Sequence, residues 1–439
     1  MRLLRFVCVL MTLFPMILTS GYARTGEIDR DSAAAAFAEA KQCSDRDGGR
    51  LWGAALYGPM MFVDRGAREI VTNQGAPGAG LKPVGSVYVG HLPDSVAIAN
   101  TATEWAGVRW SMIVAPLPGA AYERNRLLMH ESFHRIQPQI GLALANPSNA
   151  HLDSEQGRIW LRLEWRALKA ALSASSDQRR LATSDALTFR AYRRQLFSNA
   201  AAEERALEMN EGLAEYTGVV LAADSTRAAV NAVTSELERR DNSPSFVRSF
   251  AYASGPAYGL LLDESGVEWR KGLTAVIDMG TLLENAYESK LPSDLAAAAA
   301  KQALKYDGEK VIAEEHSRAE KHKELIAAYR AKLVDGPVLV LRSTDHINYS
   351  FDPNNLLPLD GASTIYPTLS VHDEWGSLEV TDGALLVRNK NGIDRVQTTA
   401  PAEIKSRRLS GDGWTLELAD GWKVAPGQRS GDYTVTKAK

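Results

Sequence analysis

"LLMHESFHRIQ", residues 127–137, decides how the rest of the chain is read. It carries two of the 8 histidines, four positions apart, with Glu131 directly after the first. Leu127, Leu128, Phe133 and Ile136 recur at helical spacing and Pro138 follows, so a helix is predicted over 122–137. Positions i and i+4 share a helix face, and the imidazoles of His130 and His134 can therefore reach one ion. Two exposed histidines on an ordinary helix would look the same in isolation. The distinction rests on whether the rest of the chain supplies what a metal still needs.

A chain of 439 residues is long for one domain, and two or three units are expected. With 45% hydrophobic and 23% charged residues it has material for a sizeable core. A net charge of −3 gives no electrostatic reason for a nucleic-acid partner. At the N-terminus, Arg2 and Arg5 precede an apolar run from Phe6 to Leu18, with small residues around Gly21 and Ala23. This is the layout of a secretory signal peptide over 1–23, so a secreted or periplasmic protein with no integral membrane segment after cleavage is expected. Cys8 falls inside that segment. Cys43 is the other cysteine, which leaves no intrachain disulfide and no thiolate zinc cluster in the processed chain.

Three textures follow one another. Residues 24–120 are β-rich, with strand-like runs in "LWGAALYGPMMFVD", "GSVYVGHL" and "GVRWSMIVAP" broken by Gly, Pro and Asn. Residues 121–334 are helical and include "IWLRLEWRALKAAL", "EERALEMNEGLAEYTGVVLA" and the charged "EKVIAEEHSRAEKHKELIAAYRAKL". Residues 335–439 alternate and are punctuated by Asp-Gly and Asn-Gly, which predicts an all-β module, a small sandwich or barrel. Its Trp375, Trp414 and Trp422 offer an aromatic binding face or, as the preferred reading, core packing.

H-E-x-x-H on a helix is the zinc metalloprotease arrangement, in which the glutamate takes a proton from water at the metal. A catalytic zinc wants three protein ligands, and without cysteine the third must be His, Asp or Glu. "LEMNEGLAEYTG" places Glu211 and Glu215 four apart on a predicted helix. Together the two motifs resemble the gluzincin clan, the thermolysin-like proteases and zinc aminopeptidases, whose second helix carries N-E-x-x-x-D/E. The resemblance covers about residues 100–265 as a pattern of elements, but only these two short motifs are residue-specific. It implies an α+β, zincin-like catalytic domain over 24–334, with a mixed-sheet N-terminal part and a helical C-terminal part. It also implies Zn2+ held by His130, His134 and Glu211, Glu131 as general base, and Glu215 orienting His130.

The clan's oxyanion donor suggests Tyr252 in "AYASGPAYGLLLD", which is similar to the aminopeptidase Y-x-K-G segment except that Ser254 replaces the lysine. Tyr258 competes for that role. His151 is a candidate cleft residue, whereas His316 and His322 sit on the charged helix and do not suit the site. The resemblance places "GVRWSMIVAP" at the sheet edge beside the cleft. It also makes the helices between 155 and 200 an insertion around the cleft, because Glu211 lies 77 residues beyond His134, farther than in typical members. The G-x-M-E-N signature of aminopeptidases is absent, so nothing argues for an exopeptidase. The expected activity is hydrolysis of a peptide or protein substrate. The alternatives are an exported binding or adhesion protein with an inactive or structural zinc site, and a zinc hydrolase of a non-peptide amide or ester.

Overall fold

The computed structural model describes residues 28–344, 347–352, 355–390, 392–404 and 406–438. The expected signal segment, with Cys8, lies outside the described residues. No described helix is long and apolar enough to cross a membrane. The protein is α+β, with three sheets among the described residues, and divides into two compact units, the first ending at Val311 and the second spanning Ile312–Lys439.

The first unit begins with α1 (Arg30–Asp47), capped by the Asp29 carboxylate, which accepts the Ser32 amide at 2.8 Å. Six strands follow, β1 (Met60–Val63), β2 (Glu69–Thr72), β3 (Lys82–Val84), β4 (Val87–His91), β5 (Thr101–Trp105) and β6 (Val108–Val114). Their spatial order is β3-β4-β2-β1-β6-β5. β1 and β6 run parallel with Met60 opposite Ser111, and the other pairs are antiparallel, so the sheet is mixed. Strand alternation splits β1 between two cores. Met60 and Phe62 join the large helical core, while Met61 and Val63 pack with Ile70, Trp110 and Met112.

β6 is not the edge strand that the sequence led us to expect. Ala106 and Gly107 both take positive φ (50° and 71°), which folds β5 back onto β6 as a hairpin. β6 therefore lies between β1 and β5, and β5 is outermost.

The helices are α2 (Ala121–Ile136), α3 (Glu155–Ser173), α4 (Ser176–Leu196), α5 (Ala200–Leu207), α6 (Leu213–Ala222), α7 (Thr226–Arg240), α8 (Ser249–Glu264), α9 (Met279–Ala286), α10 (Leu295–Ala303) and α11 (Gly308–Arg330). A π turn over Glu208–Gly212 joins α5 to α6. α6 packs along α2 because Gly218 has no side chain; a Cβ there would stand 2.5 Å from the Arg126 carbonyl oxygen. α8 crosses the π turn at a second bare contact, where a Cβ on Gly255 would lie 2.3 Å from the Gly212 Cα.

α3 and α4 brace the π turn and α8. Trp165 of α3 donates to the Ser254 hydroxyl at 2.9 Å, and Arg190 of α4 donates to both carboxylate oxygens of Glu208 at 2.7 and 2.5 Å.

In the second unit a seven-stranded sheet has the order Trp422–Pro426, Tyr433–Lys437, Val338–Arg342, Gly392–Thr399, Ala384–Asn389, Ser363–Tyr366, Leu357–Pro358. A five-stranded sheet has the order Arg408–Gly411, Trp414–Leu418, Gly376–Val380, Leu369–Asp373, Asn348–Phe351. Leu339, Leu386 and Val396 of the first share one core with Val371, Leu378 and Leu416 of the second, which makes a sandwich. Trp375 and Trp414 are buried in that core and Trp422 packs partly against it, so the first two cannot form a surface binding face.

Gly255→Ala should force α8 off the π turn and cost about 1–3 kcal/mol by overpacking. Thermal unfolding should show a melting temperature several degrees lower, whereas Gly119→Ala, where an added Cβ meets nothing within 4 Å, should leave it unchanged.

Candidate metal centre

α2 carries Arg126, His130, His134 and, just past its end, Gln137 along one stripe at i, i+4, i+8 and i+11. β6 fixes this helix. Ser111 Oγ donates to the Glu131 carbonyl at 3.2 Å, and Arg109 donates to the carbonyls of Arg135 and His134 at 3.0 and 3.4 Å. A cation at those terminal carbonyls also suits the helix dipole.

The π turn brings Glu211 against both imidazoles. Its Oε2 lies 3.4 Å from His130 Nε2 and 3.5 Å from His134 Nε2, and the two Nε2 atoms are 3.2 Å apart. All three residues are buried. Four tetrahedral bonds of about 2.0–2.1 Å would set donors about 3.3–3.4 Å apart, so this triangle fits one face of a zinc site. The outer ring nitrogens are anchored: His130 Nδ1 to Glu215 Oε2 at 2.8 Å, and His134 Nδ1 to Gln137 Oε1 at 2.9 Å. With a cation bound and Nδ1–H donated outward, each Nε2 would offer its lone pair to the centre of the triangle. Two lone pairs and a carboxylate oxygen converging in a buried space are a donor set suited to a cation.

Further contacts hold the frame. Arg126 pairs with Glu215 at 3.0 Å. Gln137 Nε2 donates to Asn210 Oδ1 at 3.0 Å, and Asn210 Nδ2 donates to the Ala145 carbonyl at 2.9 Å. Tyr252 donates to Glu211 Oε2 at 2.7 Å, and its ring stacks on His130 at 5.6 Å and 5°. Burial opposes a charged His130, but hydrogen bonds to Glu211 and Glu215 carry its pKa up to about 10. Burial likewise raises Glu211, yet hydrogen bonds from both histidines bring it well below the carboxylate range. Both directions express a pocket that favours positive charge between these groups.

Glu131 is 1% exposed, and its Oε2 has no hydrogen-bond partner. Burial pushes its pKa up, against the pull of His130 and His134.

The structure thus brings His130, Glu131, His134, Glu211, Glu215 and Tyr252 into one site. Tyr258 is elsewhere: its hydroxyl donates to Glu164 at 2.9 Å among the buried arginines of α4. His151 is also remote, bound to Glu204 at 2.9 Å and packed on Phe197. Ser254, at the lysine position of the aminopeptidase segment, faces Trp165 rather than the triad. Sequence reasoning passed over Arg126, Gln137 and Arg248. The first two continue the histidine stripe, and Arg248 precedes Tyr252 by four residues, so helical spacing carried a signal for each.

Gln137→Ala frees the His134 ring and cuts its link to Asn210. Zinc affinity, read by competition with a chromophoric chelator, should fall about 10–100-fold.

Comparison with models of known protein families, with curated proteins and with solved structures finds no match to this chain.

Proposed function

We propose that the protein is a zinc-dependent metallopeptidase with a zincin-like catalytic domain. The observation that carries this reading is the Glu131 carboxylate, fully buried beside a three-donor triangle with one oxygen unpartnered. A buried polar atom without a partner costs about 1–3 kcal/mol, and such atoms call for a functional explanation. A purely structural zinc site is closed by a fourth protein ligand and has no use for a base beside it.

His130, His134 and Glu211 would hold the ion. Bound zinc supplies Lewis acidity and lowers the pKa of water to about 7. Glu131 takes the proton from the attacking water at Oε2 and passes it to the departing amine. Glu215 and Gln137 keep both imidazoles in the tautomer that leaves Nε2 unprotonated. Tyr252, whose hydroxyl already reaches the triad, donates a hydrogen bond to the oxyanion that forms on the scissile carbonyl. Two imidazoles with one carboxylate favour zinc over calcium or magnesium, which take oxygen ligands.

Purified protein is expected to hold one zinc per chain and to cleave a peptide library in a chelator-sensitive way. Glu131→Gln should keep the zinc and lose about 10²–10⁴-fold in kcat/KM, while His134→Ala should lose the metal itself. Undiminished hydrolysis by zinc-loaded Glu131→Gln would end this reading, as would wild-type protein without zinc.

A further inference from the structure

Arg248 stands where the donor triangle meets solvent. It precedes α8 by one residue, one turn before Tyr252, and its Nη2 donates to Glu211 Oε1 at 3.4 Å. Its Nη1 donates to Asn146 Oδ1. The Arg248 side chain is 34% exposed, whereas that of Glu211 is 1% exposed, so one guanidinium runs from the triad to the surface. The neighbouring cations are committed elsewhere: Arg126 binds Glu215 at 3.0 Å and Arg240 binds Glu236 at 2.7 Å.

Two features make this guanidinium available to a ligand. Its bond to Glu211 is long for a charge-assisted contact, and an arginine has five N–H donors in a fork that matches a carboxylate. A dication at the triad would draw on the Glu211 charge and loosen that bond further. The charge balance changes as well. With His130 neutral as a ligand, Glu131, Glu211 and Glu215 outnumber Arg126 and Arg248, and a dication would turn the net charge of these groups from negative to positive. Arg248 is also held in place, because its partner Asn146 belongs to a segment that the site grips. Gln137 Nε2 donates to the Ala143 carbonyl at 3.3 Å and Asn210 to that of Ala145 at 2.9 Å. A guanidinium fixed in this way is pre-organised to bind an anion.

We propose that Arg248 determines specificity by binding a carboxylate of the substrate beside the bond to be cleaved, so that the protein favours peptides carrying an acidic side chain or a free C-terminal carboxylate there. The proposal rests on the metallopeptidase reading.

The test uses zinc-loaded full-length protein and two probes, succinic monohydroxamic acid and its primary-amide counterpart, titrated by calorimetry with zinc content measured in each sample. Wild type should bind the carboxylate probe at least 10-fold tighter, and Arg248→Gln should erase the difference. Arg248→Lys keeps a charge near Glu211 but not the two-pronged fork, and should lose part of the discrimination while retaining zinc. Equal binding of the two probes by wild type would overturn the proposal, as would full discrimination by either zinc-loaded variant. Two peptide series then identify the carboxylate: acidic residues with amidated C-termini, and neutral sequences with free C-termini. Higher kcat/KM for one series names the source, and equal rates with amidated neutral peptides would also overturn the proposal. Failure to take up zinc would sink the metal-centre reading and this inference with it. Probe discrimination without cleavage of any peptide would sink only the peptidase reading and leave Arg248 as a carboxylate site.

Discussion

The site depends on where the π turn points Glu211. Glu204, Glu208, Glu211 and Glu215 are spaced four, three and four apart, and on an unbroken α-helix all four would share one stripe. They face different partners in the structure. Glu204 and Glu208 bind Arg193 and Arg190, while Glu211 and Glu215 bind the histidines of α2. The extra residue in the π turn swings the later pair around the helix axis and divides one acidic stripe into two. One pair then anchors the helix and the other faces the two histidines of α2.

That anchoring is electrostatic on one side and steric on the other. Arg190, Arg193 and Arg194 meet Glu164, Glu204, Glu208 and Asp278 in a buried network, and most of these groups are fully enclosed. Burial raises Glu204, but the charges of Arg193 and Arg194 bring it well below the usual range, so it stays ionised and paired. Removing either partner of such a pair would leave a buried charge uncompensated, which makes the network a constraint on geometry more than a source of stability. On the other side Gly212 meets Gly255, and the close approach sets Tyr252 and Arg248 against Glu211. The glycine four-residue segment from Tyr252 to Gly255 thus positions the tyrosine through backbone contact.

The two histidines were legible in sequence because their spacing is local, whereas Glu211, 77 residues beyond His134, was legible only through a second motif. His130 and His134 need only a helix to converge, and that helix ends at Ile136, one residue short of the predicted Gln137. The β-rich, helical and β-rich textures were equally plain, since strand alternation and helical periodicity differ over short windows. What could not be read depended on long-range pairing. The parallel match of β1 with β6 needs partners about 50 residues apart, and the place of β6 inside the sheet follows from a turn whose first residue, Ala106, is not one that usually signals positive φ. Arg190 and Arg194 likewise meet Asp278, 88 and 84 residues away, a pairing that local spacing does not show.

The two histidines are held by chemically different groups, and the difference matters for the proposed reading. Glu215 is a carboxylate and would strengthen His130 as a ligand, because an imidazole that donates to an anion is the better electron donor at Nε2. Its charge is shared with Arg126 through the other oxygen, which limits that effect. Gln137 is neutral and fixes the His134 ring without adding charge. A second carboxylate at Gln137 would make the site still more negative beside the unpaired oxygen of Glu131. In the proposed reading, the amide would orient one ligand without adding a second anion to compete with Glu131 for the proton of the attacking water.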